Sequence, residues 1–152
     1  MWRLVLANTV LLMLALMLAN AEGFTFVIGS PVASQQFQFK TASFVFRTEG
    51  CDSGAPQISA TAEGIVKGER KSVELKVTAG TKPGIYAVFQ NWPPEGQWLV
   101  NLKGACGNLS AGAIVPIGPK GFIRESSKFF PRSATDSEIE TSLKALTPGD
   151  KK

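Results

Sequence analysis

Ser72-Val73-Glu74-Leu75-Lys76-Val77-Thr78 puts every apolar residue at an odd position and every polar one at an even position. A period of two is the pattern of a β-strand with one buried and one wet face. Trp98, Val100 and Leu102 repeat it against Gln97, Asn101 and Lys103. Phe24, Phe26 and Ile28 mark an opening strand, and Leu109 to Ile117 a late one whose centre Gly112 weakens. Ile58 to Val66 adds one or two short strands, with Gly64 and Gly68 blurring their limits.

Two stretches break this alternation. Phe37 and Phe39 have odd parity while Phe44 and Phe46 have even parity, so one face cannot hold all four. The expectation is a kinked strand, or two successive ones, with a bulge or break near Lys40 to Ser43. Ile85 to Phe89 is apolar on both parities, which predicts a strand that is central or covered on its second face.

Turn-forming clusters separate these runs: Gly50 to Gly54, Ala79 to Gly84, Asn91 to Gly96 and Gly104 to Asn108. Short strands joined by such loops predict an all-β fold, an antiparallel β-sandwich of about seven strands across residues 22–117. Residues 118–134 read as a linker. Residues 135–147 read as an amphipathic helix, with a Thr135–Glu138 capping box and with Ile139, Leu143 and Leu146 on one face. Pro148-Gly149 ends it, and 148–152 reads as a disordered tail. So short a helix is marginal alone and must dock on the sandwich or on a partner.

The runs Gly68 to Leu75, Lys82-Pro83-Gly84-Ile85-Tyr86-Ala87-Val88 and Gly96-Gln97-Trp98-Leu99-Val100 together resemble the closing strands of secreted bacterial immunoglobulin-like and carboxypeptidase-regulatory-like domains. In those domains a P-G-x-Y turn enters an apolar strand. The resemblance implies an immunoglobulin-like sandwich and transfers no site residue, because such domains have varied binding and structural roles. Gly118 to Leu146 departs from their usual ending.

The N-terminus carries the compartment. Arg3 precedes a largely apolar stretch, Leu4 to Leu18, and Ala19-Asn20-Ala21 has the small residues of a signal-peptidase site. Residues 1–21 therefore read as a cleaved signal peptide, the apolar run being shorter than a bilayer span requires. That predicts a periplasmic or secreted protein with no membrane span after cleavage. In such a compartment the two cysteines, Cys51 and Cys106, are expected to form one disulfide.

Composition removes much catalytic chemistry. The chain has no histidine, so an imidazole base and the commonest metal ligand are missing. Catalytic residues, metal ligands and cofactors are accordingly expected to be none. A net charge of +4 favours weak attraction to anionic surfaces and does not imply nucleic acid. Glu138 and Glu140 read as a solvated helix face. Ser126-Ser127-Lys128 fails the S-x-x-K spacing, since Glu125 holds the needed position.

Two features stand out as binding candidates. Trp92 sits in a Pro-rich loop, either capping the core or protruding as a contact. Lys120, Arg124, Lys128 and Arg132 recur every four residues, interleaved with Phe122, Phe129 and Phe130. Pro119 and Pro131 argue against one helix there. The sequence thus points to an exported, non-enzymatic binding or structural module whose partner is another exported protein or an envelope polymer. The alternative is a carrier or accessory subunit binding an anionic ligand or polymer through residues 120–132. A carboxylate-based hydrolase would require two acids converging in a cleft. No oligomeric state follows from the sequence.

Overall fold

The computed structural model describes residues 23–146. The signal segment 1–21 and the tail 148–152 lie outside the described residues. The strands are β1 (Thr25–Gly29), β2 (Phe44–Glu49), β3 (Gln57–Val66), β4 (Glu69–Leu75), β5 (Val77–Ala79), β6 (Ile85–Val88), β7 (Gln97–Cys106), β8 (Leu109–Gly118), β9 (Gly121–Phe122) and β10 (Lys128–Phe130), followed by helix α1 (Asp136–Leu146). They form two antiparallel sheets, a four-stranded one in the order β1-β2-β6-β5 and a six-stranded one in the order β10-β8-β7-β3-β4, with β9 also on β8. This is the expected all-β sandwich with a short C-terminal helix.

The interior is asymmetric. The four-stranded layer brings aromatic rings, Phe26, Phe44 and Phe46, with Phe24 just ahead of β1. Their edges meet in tilted and T-shaped pairs at 5.6–6.3 Å. The six-stranded layer answers with small residues, Ala60, Ala62, Ala111 and Ala113, alongside Trp98, Val100 and Leu102. Gly104 is one such answer: a Cβ there would sit 2.7 Å from the Phe26 ring. Large side chains on one layer against small ones on the other give close packing without strain.

The Ser72–Thr78 alternation holds, but the chain changes sheets within it. Leu75 ends β4 in one layer and Val77 opens β5 in the other. Both layers share one interior, so Val73, Leu75 and Val77 keep facing it while their hydrogen-bond partners switch. Ile58 to Val66 is one strand rather than two. Gly64 lies against the Trp98 ring, and Lys67-Gly68 forms the β3–β4 turn at φ 51° and 78°.

The Phe37–Phe46 break is real, but its first half is not strand. Pro31–Ser34 and Phe37–Phe39 are 3-10 turns folded over the outer face of the four-stranded sheet. Phe39 is buried there with Ala42, Val45 and Ala87, while Phe37 is 89% exposed. That covering also satisfies the two-sided apolar pattern of β6, which lies between β2 and β5.

The outer face of β7 is likewise not wet throughout. Lys103 is exposed, but Asn101 is 2% exposed, because α1 packs Ile139 and Leu143 onto Leu99 and Ile114. The helix begins with the expected box. The Thr135 N–H donates to Glu138 Oε2 (2.8 Å) and the Glu138 N–H to Thr135 Oγ1 (3.2 Å). Residues 118–134 carry β9, a 3-10 turn at Arg124–Ser126 and β10, so the segment read as a linker contributes an edge to the sheet. Gly112 marks where this segment passes closest, since a side chain there would collide with the Arg132 carbonyl.

Cys51 and Cys106 form the expected disulfide, with Cα atoms 5.7 Å apart. Cys51 follows β2 of one sheet and Cys106 ends β7 of the other, so the bond joins the two layers at one end.

Candidate functional site

The end of the sandwich away from the disulfide is closed by the Phe89–Gly96 loop, which carries the chain from β6 in one sheet to β7 in the other. Trp92 caps the core from this loop, 6% exposed. Its carbonyl accepts a hydrogen bond from Gln90 Nε2 (3.2 Å), and Trp98 Nε1–H donates to the Glu95 carbonyl (2.7 Å). Gly96 completes the loop at φ 85°, crowded against the Ile65 carbonyl.

Opposite stands the β8–β9 hairpin. Its turn is Pro119-Lys120, closed by Gly121 at φ 112°. The next residue but one, Ile123, is pinned at both backbone groups: its N–H donates to the Pro116 carbonyl (2.8 Å) and its carbonyl accepts from Ser127 Oγ (2.9 Å). Between loop and hairpin lies a cleft of about 540 Å³. Trp92, Pro93 and Pro94 line it from the loop, Ile117, Pro119 and Ile123 from the hairpin, and Leu146 from the end of α1. Trp98 and two amides, Gln90 and Gln97, complete it, and among the described residues no charged side chain lines it.

The residues singled out in the sequence therefore separate. Trp92 lines this cleft, and Lys120 and Arg124 directly follow the lining residues Pro119 and Ile123; both are exposed. The Arg124 guanidinium lies over the Phe122 ring at 5.7 Å. Lys128, Phe129, Phe130 and Arg132 lie on and just after β10. Phe129 and Phe130 line a second cleft of about 500 Å³ with Phe24 and Glu49, where β1 and β10 flank the open side of the sandwich. Phe129 is 49% exposed.

Arg132 has a structural task. It stacks on Phe130 at 5.3 Å and forks onto both Glu138 oxygens at 2.7 and 2.9 Å. The Arg132 hydrogen bonds, with help from the Thr135 N–H, lower the Glu138 pKa to about 2. The four cations thus form no single stripe, because a hairpin, a 3-10 turn and a strand intervene where a helix would have aligned them.

Sequence reasoning missed one charge cluster. Arg70 of β4 reaches Asp136 at 2.7 Å, Glu140 at 3.5 Å and Glu63 at 3.6 Å. The Asp136 hydrogen bond raises the Arg70 pKa. Glu63 is buried, and its Oε1 accepts from Thr61 and Ser72 hydroxyls at 3.1 and 2.9 Å. Glu138 and Glu140, read as a solvated face, are thus both engaged. Glu138 was signalled by the capping box. Arg70 and Asp136 are 66 residues apart and carry no local signal.

These groups pair with one another rather than converge on a cleft, and among the described residues no carboxylate lines the larger one. Among the described residues no group of three or more Asp, Glu, Cys or His side chains is placed to hold a metal ion, and no helix is long and apolar enough to cross a membrane. Comparison with protein-family models, with curated proteins and with solved structures finds no match to this chain.

Proposed function

We propose that this chain is an exported, non-enzymatic binding module of immunoglobulin-like type, which takes its ligand in the cleft between the Phe89–Gly96 loop and the β8–β9 hairpin. One observation carries the reading. Trp92, marked in the sequence, lines that cleft together with Ile123 of the 120–132 segment, while the marked cations Lys120 and Arg124 stand next to lining residues without lining it. Backbone and indole hydrogen bonds fix both walls in advance, which lowers the ordering cost of binding. The disulfide and the A-x-A sequence support export.

The second reading places a protein partner or envelope polymer at β10, and the exposure of Phe129 beside its own cleft favours it. Affinity capture from native extract with three baits separates the two: wild type, Ile123→Arg and Phe129→Ala. Loss of the captured species with Ile123→Arg alone supports the cleft. Loss with Phe129→Ala alone moves the site to β10. Unchanged capture with both variants removes both readings.

A further inference from the structure

We propose that the strap of residues 31–40, on the outer face of the four-stranded sheet, docks this protein peripherally on an anionic lipid bilayer through Val32, Phe37 and Lys40. No strap residue lines either cleft, so this surface goes beyond the reading given above.

The first argument is exposure held in place. Val32 and Phe37 are 85% and 89% exposed, the two most exposed large apolar side chains among the described residues. They sit on the consecutive 3-10 turns Pro31–Ser34 and Phe37–Phe39, which lie side by side. Between the turns Gln35 is left-handed at φ 54°, a conformation that a side chain avoids unless its surroundings enforce it. The surroundings do so. Ser34 Oγ donates to the Pro31 carbonyl (2.7 Å) and accepts from the Gln36 N–H (3.2 Å). Gln36 Oε1 accepts from the Thr81 N–H (2.9 Å) and hydroxyl (3.2 Å), and Phe39 is buried beneath, 6.3 Å from the Phe89 ring. Buried Ser34, Gln36 and Phe39 thus anchor the strap to the sheet, while Val32 and Phe37 stand in water. Two apolar tips fixed in this way enter an apolar phase with little ordering cost.

The second argument is charge, and it chooses the occupant. In a 3-10 turn residues three apart eclipse, so Lys40, which closes the second turn at φ −55° and ψ −34°, lies on the same side as Phe37. A second cation, Lys82, follows Thr81, the residue bonded to Gln36. Both lysines are exposed, and among the described residues neither makes an ion pair. No acidic residue occurs between residues 23 and 48. Apolar tips beside unpaired cations suit a bilayer with anionic headgroups: the tips enter the headgroup–acyl boundary and the ammonium groups stay at the phosphates. A protein partner fits less well. The tips stand among exposed, polar Gln35, Gln38 and Thr41, whereas a stable protein interface buries about 800 Å² a side around a dry core.

Co-sedimentation with vesicles tests this, using the chain from Glu22 that cleavage at the A-x-A site leaves. One set of vesicles is phosphatidylcholine alone, the other equimolar phosphatidylcholine and phosphatidylglycerol. Binding is expected on the anionic vesicles and should weaken as salt is added. Phe37→Ala should weaken it about tenfold through lost apolar insertion. Lys40→Gln and Lys82→Gln should each weaken it about fivefold and flatten the salt response. All three side chains are exposed, so each variant should keep the wild-type denaturation midpoint. In Phe37→Trp, emission should move to the blue on anionic vesicles, a signal that stands out because Trp92 and Trp98 are buried. Wild type that binds neither vesicle, or binding that Phe37→Ala leaves unchanged, overturns the proposal. Dimers that Phe37→Ala dissolves, or a captured protein that it releases, in the absence of vesicle binding, overturn it in favour of a second copy or a protein partner.

Discussion

The two ends of this sandwich are held by different forces. At one end a covalent bond between Cys51 and Cys106 ties the layers together. At the other, the Phe89–Gly96 loop crosses between the layers with nothing but packing and hydrogen bonds to fix it, and there the larger of the two clefts described above is found. The contrast teaches that a preformed cleft here depends on buried tryptophan and well-placed glycine rather than on a staple. The disulfide limits how far the unfolded chain can spread. The packed end decides whether a shaped surface exists at all.

The largest expected effect is therefore at the packed end. Trp98 is buried against Gly64 and anchors the loop through the Glu95 carbonyl. Trp98→Ala should cost about 3–5 kcal/mol, measured by chemical denaturation, and should erase the cleft. A mutant with wild-type stability would show that this end does not depend on its tryptophan.

At the stapled end, the sequence separation of 55 between the cysteines gives a loss of about 4 kcal/mol for the paired change Cys51→Ser with Cys106→Ser, on chain-entropy grounds. The indole N–H resonances of Trp92 and Trp98 should keep their native positions in that variant, since both rings lie at the other end. Shifts in both would mean that the two ends are not independent.

Much of this architecture was legible because a buried face writes its period directly into the chain. Val73, Leu75, Val77, Trp98, Val100 and Leu102 all point where alternation placed them. What the pattern could not carry was anything set by distant chain. The sheet change at Lys76 is silent because both layers share one interior. The burial of Asn101 follows from a helix that arrives 35 residues later, and the Arg70 cluster from the same docking. Phe39 turned inward through a 3-10 turn, which has no strong period to read. Of the candidate site the sequence marked Trp92, which lines the cleft, whereas the marked cations and phenylalanines of 120–132 do not line it, and the fourfold spacing of the cations makes a stripe only on a helix that the prolines forbid.

Helix α1 spans the comparison. Its capped N-terminus lies by Arg132 and Gly112, and its last residue, Leu146, lines the cleft. Thr135→Ala removes the acceptor for the Glu138 N–H and should cost about 1 kcal/mol. Hydrogen exchange should quicken first in the opening turn of α1. If Leu146 depends on the whole helix, exchange should quicken in the last turn of α1 as well, and unchanged protection there would show that the last turn holds by its own packing.

The smallest effect is the pH dependence of that same cap. Glu138 titrates near 2 in the folded protein, held down chiefly by Arg132, against the ordinary glutamate value of about 4.3 in the unfolded chain. A depressed folded-state pKa means the unfolded chain takes up the proton first on acidification. The contribution is then complete above about pH 5 and is lost progressively as pH falls through about 2. Glu138→Gln keeps a capping oxygen but carries no charge, so it isolates this effect from the cap itself. Melting temperatures of wild type and Glu138→Gln should differ slightly at pH 7 and converge toward pH 2, with added salt shrinking the difference at pH 7 because the pair is solvent-facing. A gap that stays constant across that range would mean the Arg132–Glu138 fork contributes through geometry alone, and that charge holds neither end of the molecule.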